Sequence, residues 1–193
     1  MYVPPPIKKP KSFNAGNPKK QERAYELPHV SVEVKDVLFT LIDAQAANST
    51  PSLTVRVDDQ VFNIIPRPHL YHFLMFLERR TLADIYSTMP REHLDAIFSA
   101  IHTYLFEQSG EVQSISEILP TIYSREQCLE TPSGLMKSMI YMSEHYELTP
   151  ISRIWMIDTE EGLVDLPQRK VLISNFTGDP KDRGLIDFIL EYG

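Results

Sequence analysis

The side chains best suited to chemistry in this 193-residue chain are its carboxylates, and four crowd one short stretch: Asp158, Glu160, Glu161 and Asp165. Asp179 and Asp182 follow. Grouped carboxylates can hold divalent cations for hydrolysis. The spacing lacks the Asp-x-Asn-x-Asp-Gly frame of a calcium loop, so the run reads first as a solvated acidic loop. A metal-dependent hydrolase or nuclease built on residues 158–165 is the enzymatic alternative.

The remaining reactive types are thin. His69 and His72 are three apart at the start of an apolar helix, a spacing that can offer two imidazoles to one metal. Neither a His-Glu-x-x-His motif nor paired cysteines supplies a further ligand. Packing is the better reading. His93 and His102 are nine apart, and at about 100° per residue they fall on opposite sides of a helix. The single cysteine, Cys128, excludes an internal disulfide and a Cys-rich zinc site. With only Arg125 nearby it lacks an activating base and reads as apolar filler. There is no Gly-x-Ser-x-Gly elbow and no Gly-rich phosphate loop. No catalytic residue, cofactor or metal site is expected from these signals.

The elements that would position such residues read as follows. Val30, Val32 and Val34 alternate as a short strand. Asp36 then opens an expected helix carrying Val37, Leu38, Leu41 and Ile42. Leu53, Val55 and Val57 alternate up to Asp58-Asp59, and Val61 and Ile65 continue the period, which predicts a hairpin. Pro66 and Pro68 end strand pairing and start an apolar helix running to Glu78-Arg79-Arg80. Thr81, with Asp84 three residues on, predicts a short helix to Met89. Pro90 starts the clearest helix, with Leu94, Ile97, Phe98, Ile101, Tyr104 and Leu105 on one face and Gly110 as its stop.

Short helical pieces are expected at 114–119 and 124–129, the second capped by Ser124 and Gln127. Thr131-Pro132 predicts a helix bearing Leu135, Met136, Met139, Ile140 and Tyr146. Residues 151–158 fit a helix or a buried strand equally. A strand at 170–176, a turn at Gly178-Asp179-Pro180 and a final helix capped by Asp179 complete the reading. The fold class expected is α+β: a predominantly α-helical body, residues 29–193, with a small β-hairpin element and an extended N-terminal arm, residues 1–28.

That arm holds six of the 15 prolines, and Lys8, Lys9, Lys11, Lys19, Lys20 and Arg23 against Glu22 and Glu26, a net +4. Subtracting it from the whole chain's −7 leaves −11 for the body. Such a segment is too poor in apolar residues to fold alone. Tyr2, Val3, Ile7, Phe13 and Tyr25 are spaced as separate anchors for a neighbour's grooves, and the lysines suit an acidic partner surface.

These features predict a non-enzymatic structural or assembly subunit of a large complex, most simply a phage or virus particle component (tail, baseplate, connector or capsid-associated). Its arm would tie neighbouring protein subunits together, homo- or hetero-oligomeric. An alternative is a small regulatory binding module presenting Met136 and Met139 (with Met142 nearby) to a partner. The acidic body disfavours nucleic acid. No apolar run approaches the roughly 18 residues of a membrane span, and the start lacks a secretory h-region. Synthesis in the cytoplasm, with a virion as destination, is the expectation.

Overall fold

The computed structural model describes residues 27–42, 53–110, 115–145, 150–159 and 162–193. At its centre lies a parallel five-stranded sheet. β1 (His29–Val32) pairs with β5 (Leu82–Tyr86) on one side and β9 (Ile154–Asp158) on the other. β6 (Ile122–Tyr123) lies beyond β5, and β10 (Lys170–Leu172) beyond β9. The central strands are buried on both faces, as in a sheet covered from both sides, with the polar His29, Ser31 and Asp84 among their buried side chains. Val30, Val32, Ala83, Ile85 and Ile157 join one core cluster. Tyr86, Ile154 and Met156 join the other, and the Ser31 hydroxyl donates to Met142 Sδ at 3.2 Å on that side.

The first face is covered by α1 (Leu70–Arg80), α2 (Arg91–Ser109), the short α3 (Ile115–Ile118) and α5 (Gly184–Tyr192). α1 buries Leu70, Phe73, Leu74 and Leu77, and Phe73 meets Phe188 of α5 edge-on at 5.6 Å. The long helix α2 buries Leu94, Ile97, Phe98, Ile101 and Leu105, the stripe its sequence period predicts, and ends at Gly110. α4 (Met139–His145) covers the second face with Met139 and Met142. Among the described residues no helix is long and apolar enough to cross a membrane.

A second sheet, antiparallel, is inserted after β1. It has the order β2 (Phe39–Ile42), β4 (Gln60–Pro66), β3 (Leu53–Val57), and β3 and β4 form the hairpin expected around Asp58-Asp59. Arg67 locks this sheet to the body. Its guanidinium is buried and donates to both Asp182 carboxylate oxygens (2.6 and 3.1 Å), to Ser174 Oγ (2.9 Å) and to the Val37 carbonyl (3.3 Å). A third pairing, β7 (Leu129–Thr131) with β8 (Gly134–Met136), is a small hairpin.

This architecture corrects the expected fold class. The body is an α/β fold around a parallel sheet, not a helix-dominated body with one small hairpin. Four segments account for the difference. Asp36 takes a positive φ of 62° and opens a turn, so Phe39–Ile42 pair as a strand instead of continuing a helix. Thr81 closes α1, its N–H and hydroxyl both donating to the Leu77 carbonyl, and thus cannot cap a helix of its own. Leu82–Tyr86 then enter the sheet. At Thr131 the hydroxyl donates to the Gly134 carbonyl (2.7 Å) and Gly134 adopts φ 121°, which bends the chain into a hairpin and delays the helix to Met139. After Pro180 the carboxylates of Asp179 and Asp182 accept the N–H groups of Lys181 and Gly184, and the last helix starts only at Gly184. The ambiguous stretch 151–158 is a single 3₁₀ turn followed by the buried strand β9.

Candidate active site

Because β1, β5 and β9 run parallel in matched register, with Val32 opposite both Ile85 and Ile157, their carboxyl ends coincide. Glu33 follows β1, Ser87 follows β5, and Asp158 ends β9. The chain runs outward from β1 to β5 and β6, then returns to β9 and β10 on the opposite side. The crevice at the carboxyl ends, where strand order reverses, is where open α/β sheets place ligands.

Four buried polar side chains meet there. Glu33 Oε1 accepts from Ser87 Oγ at 2.6 Å and from the amides of Val34 (2.8 Å) and Lys35 (3.4 Å). Its other oxygen, Oε2, lies 2.7 Å from Lys137 Nζ. The same ammonium lies 2.8 Å from Asp158 Oδ2, and Asp158 Oδ1 accepts the Thr159 amide at 2.7 Å. Solvent exposure is 5% for Glu33, 0% for Ser87, 1% for Lys137 and 1% for Asp158. Buried charges survive only when paired and hydrogen-bonded, and these are.

Lys137 comes from outside the sheet. It sits between β8 and α4, its N–H donating to the Leu163 carbonyl (2.9 Å) and its carbonyl accepting from Asp165 N–H (3.1 Å). Asp165 also receives the start of α4, accepting from Met139 N (2.9 Å), Ile140 N (3.2 Å) and Ser138 Oγ (2.6 Å). Asp165 therefore fixes the backbone that aims Lys137. Burial by itself would depress the Lys137 pKa, but Glu33 and then Asp158 outweigh it and hold it above the ordinary lysine value. Burial raises the Asp158 pKa, against the pull of Lys137.

Gly162 packs directly on Asp158. A Cβ there would lie 2.0 Å from Oδ2 and 2.3 Å from Oδ1. Gly162→Ala is therefore expected to push the Asp158 carboxylate away from Lys137, at about 1–3 kcal/mol for such overpacking. A denaturant melt reads that loss, and an unchanged midpoint would refute the contact.

Of the residues that sequence reasoning favoured, few reach this crevice. The arm anchors Tyr2, Val3, Ile7, Lys8, Lys9, Lys11, Phe13, Lys19, Lys20 and Tyr25 lie outside the described residues, as do Glu160 and Glu161. The described carboxylates of the acidic run diverge in role: Asp158 joins the site and Asp165 caps α4. Asp182 pairs with Arg67, and Asp179 accepts the Lys181 amide. Met139 and Met142 are fully buried core residues, which removes the exposed methionine face. His69 and His72 have ring centroids 6.2 Å apart, the His93 ring lies tilted against Phe62 at 4.9 Å, and no group of three metal-type ligands occurs among the described residues. Burial pushes the Cys128 thiol up to about 12, which keeps it protonated and suits its place as filler.

Glu33, Ser87 and Lys137 were missed. One signal was available: Glu33 is a lone charge inside the β-branched run Val30–Val34, and a charge at the end of a buried strand is rare unless it has a task. Ser87 and Lys137 were hidden inside segments read as helices.

Chemically, a carboxylate held by a hydroxyl and two amides, beside a fixed ammonium, is equipped for covalent transfer of an acidic group. Comparison with known proteins agrees. No curated protein sequence matches the chain. Among solved structures, the chain resembles Fcp1, an essential RNA polymerase II CTD phosphatase, with a TM-score of 0.53 and 13% identity over 82% of this chain and 44% of that one. It resembles equally a variant of the fission yeast enzyme bound to beryllium fluoride, with a TM-score of 0.54, 13% identity and the same coverages. The chain thus spans less than half the length of either structure, and at that identity the likeness speaks for the fold. Residues 34–192 match the model of the NLI interacting factor-like phosphatase family. The match overturns the expectation of a non-enzymatic phage or virion subunit. The chain belongs to the NLI interacting factor-like phosphatase family.

Proposed function

We propose that this chain hydrolyses phosphomonoesters through a covalent phosphoryl group carried on Glu33. The observation supporting this reading is the meeting of Glu33, Ser87, Lys137 and Asp158 at the reversal point of the sheet, within a chain of this family. A Glu33 carboxylate oxygen attacks phosphorus, the P–O bond to the ester oxygen breaks, and the leaving oxygen departs with the bonding pair. Water then attacks phosphorus, the acyl–phosphate P–O bond breaks, and inorganic phosphate and the free carboxylate result. Lys137, with one N–H beyond the two its carboxylate partners accept, is the donor placed to hold a phosphoryl oxygen as charge builds on it, and Ser87 positions the attacking carboxylate.

Phosphoryl transfer commonly recruits a divalent cation. The residues here do not fit one, since Lys137 already bridges the two carboxylates, and no step above passes through a metal.

Among the described residues the leaving oxygen has no well-placed acid to protonate it. Asp36 is bound to the Thr40 hydroxyl (3.1 Å) and paired with Lys35 (3.8 Å), while Asp158 is enclosed by Lys137 and Gly162. It therefore takes its proton from water, which favours aryl esters, whose oxyanions are stable. General acid catalysis contributes about 10²–10⁴-fold, so alkyl phosphates are expected to turn over slower than aryl phosphates by a factor of that order. Labelled aryl phosphate, quenched in acid after mixing with the chain, tests the reading. The label should stay on Glu33 and leave with hydroxylamine. Absence of both label and phenol release would sink the proposal, and phosphate binding without phenol release would reduce the site to a phosphoryl receptor.

A further inference from the structure

Lys137 stands where a bridging metal would have to stand. Its ammonium makes contacts of 2.7 Å to Glu33 and 2.8 Å to Asp158, one oxygen from each carboxylate. Two further observations leave each carboxylate a single oxygen for a cation, the one Lys137 holds. First, the second oxygen of each carboxylate is already engaged, Glu33 Oε1 by a hydroxyl and two amides and Asp158 Oδ1 by the Thr159 amide. Second, the backbone of Gly162 occupies the outer side of Asp158, so closely that a Cβ there would overlap both oxygens.

The lysine is also held in place rather than merely drawn in. Its backbone is bonded on both sides to the 163–165 strip, and the adjacent Ser138 amide donates to the Tyr86 hydroxyl at 3.1 Å. Tyr86 in turn donates to the Gln127 carbonyl at 2.7 Å. This support fixes the backbone from which the ammonium reaches both carboxylates.

We propose that Lys137 is the resident cation of the site, and that the phosphoryl group is bound and transferred there without a divalent metal. The inference rests on the phosphatase reading for its second half only, because the identity of the resident cation can be tested without turnover. Two carboxylates and one ammonium leave a net charge of −1.

The experiment is calorimetric titration of the full chain with Mg²⁺ and with Mn²⁺, alongside p-nitrophenyl phosphate turnover in EDTA. The expected results are no saturable heat up to millimolar metal and turnover within twofold of the EDTA-free rate. Saturable binding by the unaltered chain, or a loss of more than tenfold in EDTA, overturns the proposal. A chain inactive under both conditions while showing no metal binding would end the phosphatase reading and leave Lys137 as the resident cation. Lys137→Ala supplies a second measurement. With the ammonium gone, Glu33 Oε2 and Asp158 Oδ2 lose their shared partner, and the folded variant should gain Mn²⁺ binding between them, its melting midpoint rising by about 5–10 °C at a hundredfold excess over Kd. A folded variant whose midpoint ignores the metal would contradict the placement of Lys137.

Discussion

Glu33→Gln is expected to abolish turnover of aryl phosphates, by a factor on the order of 10⁴ or more, and to lower the melting midpoint as well, because its amide N–H₂ faces the Lys137 ammonium where Oε2 accepted. The amide keeps an oxygen to accept from Ser87 and the Val34 and Lys35 amides, so most of the local network survives. What it loses is the attacking lone pair of an anion. The comparison is steady-state rate against thermal midpoint. A variant retaining a tenth of the original rate would show that Glu33 is not the nucleophile, whatever the fold does. Glu33→Asp separates reach from charge: the shorter side chain keeps the anion but withdraws it from Lys137, so partial activity is expected.

Lys137→Ala carries the largest expected cost to stability. It strands Glu33 and Asp158, two carboxylates with almost no solvent contact, without their shared counter-charge. Breaking a buried pair from one side costs about 3–5 kcal/mol. For a domain of this size that corresponds to a fall of roughly 6–20 °C in Tm. Lys137→Met, which fills the volume but not the charge, should lose a similar amount, because the loss is electrostatic and not a cavity. If alanine proves much worse than methionine, packing dominates and the charge argument fails.

The same pair dictates an alkaline limit. The Lys137 pKa is raised in the folded chain, so its contribution is complete below the unfolded lysine value of about 10.4 and is lost as pH climbs through the higher folded value. Denaturant midpoints of the original chain should fall above that point, and those of Lys137→Met should fall less. Asp158 acts in the same sense at its own, lower range: with its pKa raised by burial, it contributes when protonated and costs stability once ionised.

Local chemistry made several elements legible in the sequence. The hairpin around Asp58-Asp59 follows from alternation on both sides of a turn, and its register keeps Val55 inward. α2 follows from a proline start, a five-residue apolar stripe and a terminal glycine. The Ser124–Gln127 capping box is present, although it closes a single 3₁₀ turn rather than a longer helix. Each of these is decided within about twenty residues of chain, by sterics and periodicity.

The parallel sheet was not legible for the opposite reason. β1, β5 and β9 are short, buried on both faces and far apart in sequence; alternation marks β1 alone, and no neighbouring segment reveals the pairing. Leu82–Tyr86 in isolation resembles the start of a capped helix, and only its hydrogen bonds to β1 and β6 make it a strand. The active site is a consequence of that pairing. Glu33, Ser87, Lys137 and Asp158 are separated by up to 125 residues and share no motif spacing. The sequence by itself determined which segments are apolar, where the chain turns and that a charge follows β1. Tertiary structure alone decided that three strand ends coincide, because parallel register is set by long-range hydrogen bonding and two-sided burial. With the ends aligned, one lysine can neutralise two carboxylates that no local rule would have joined.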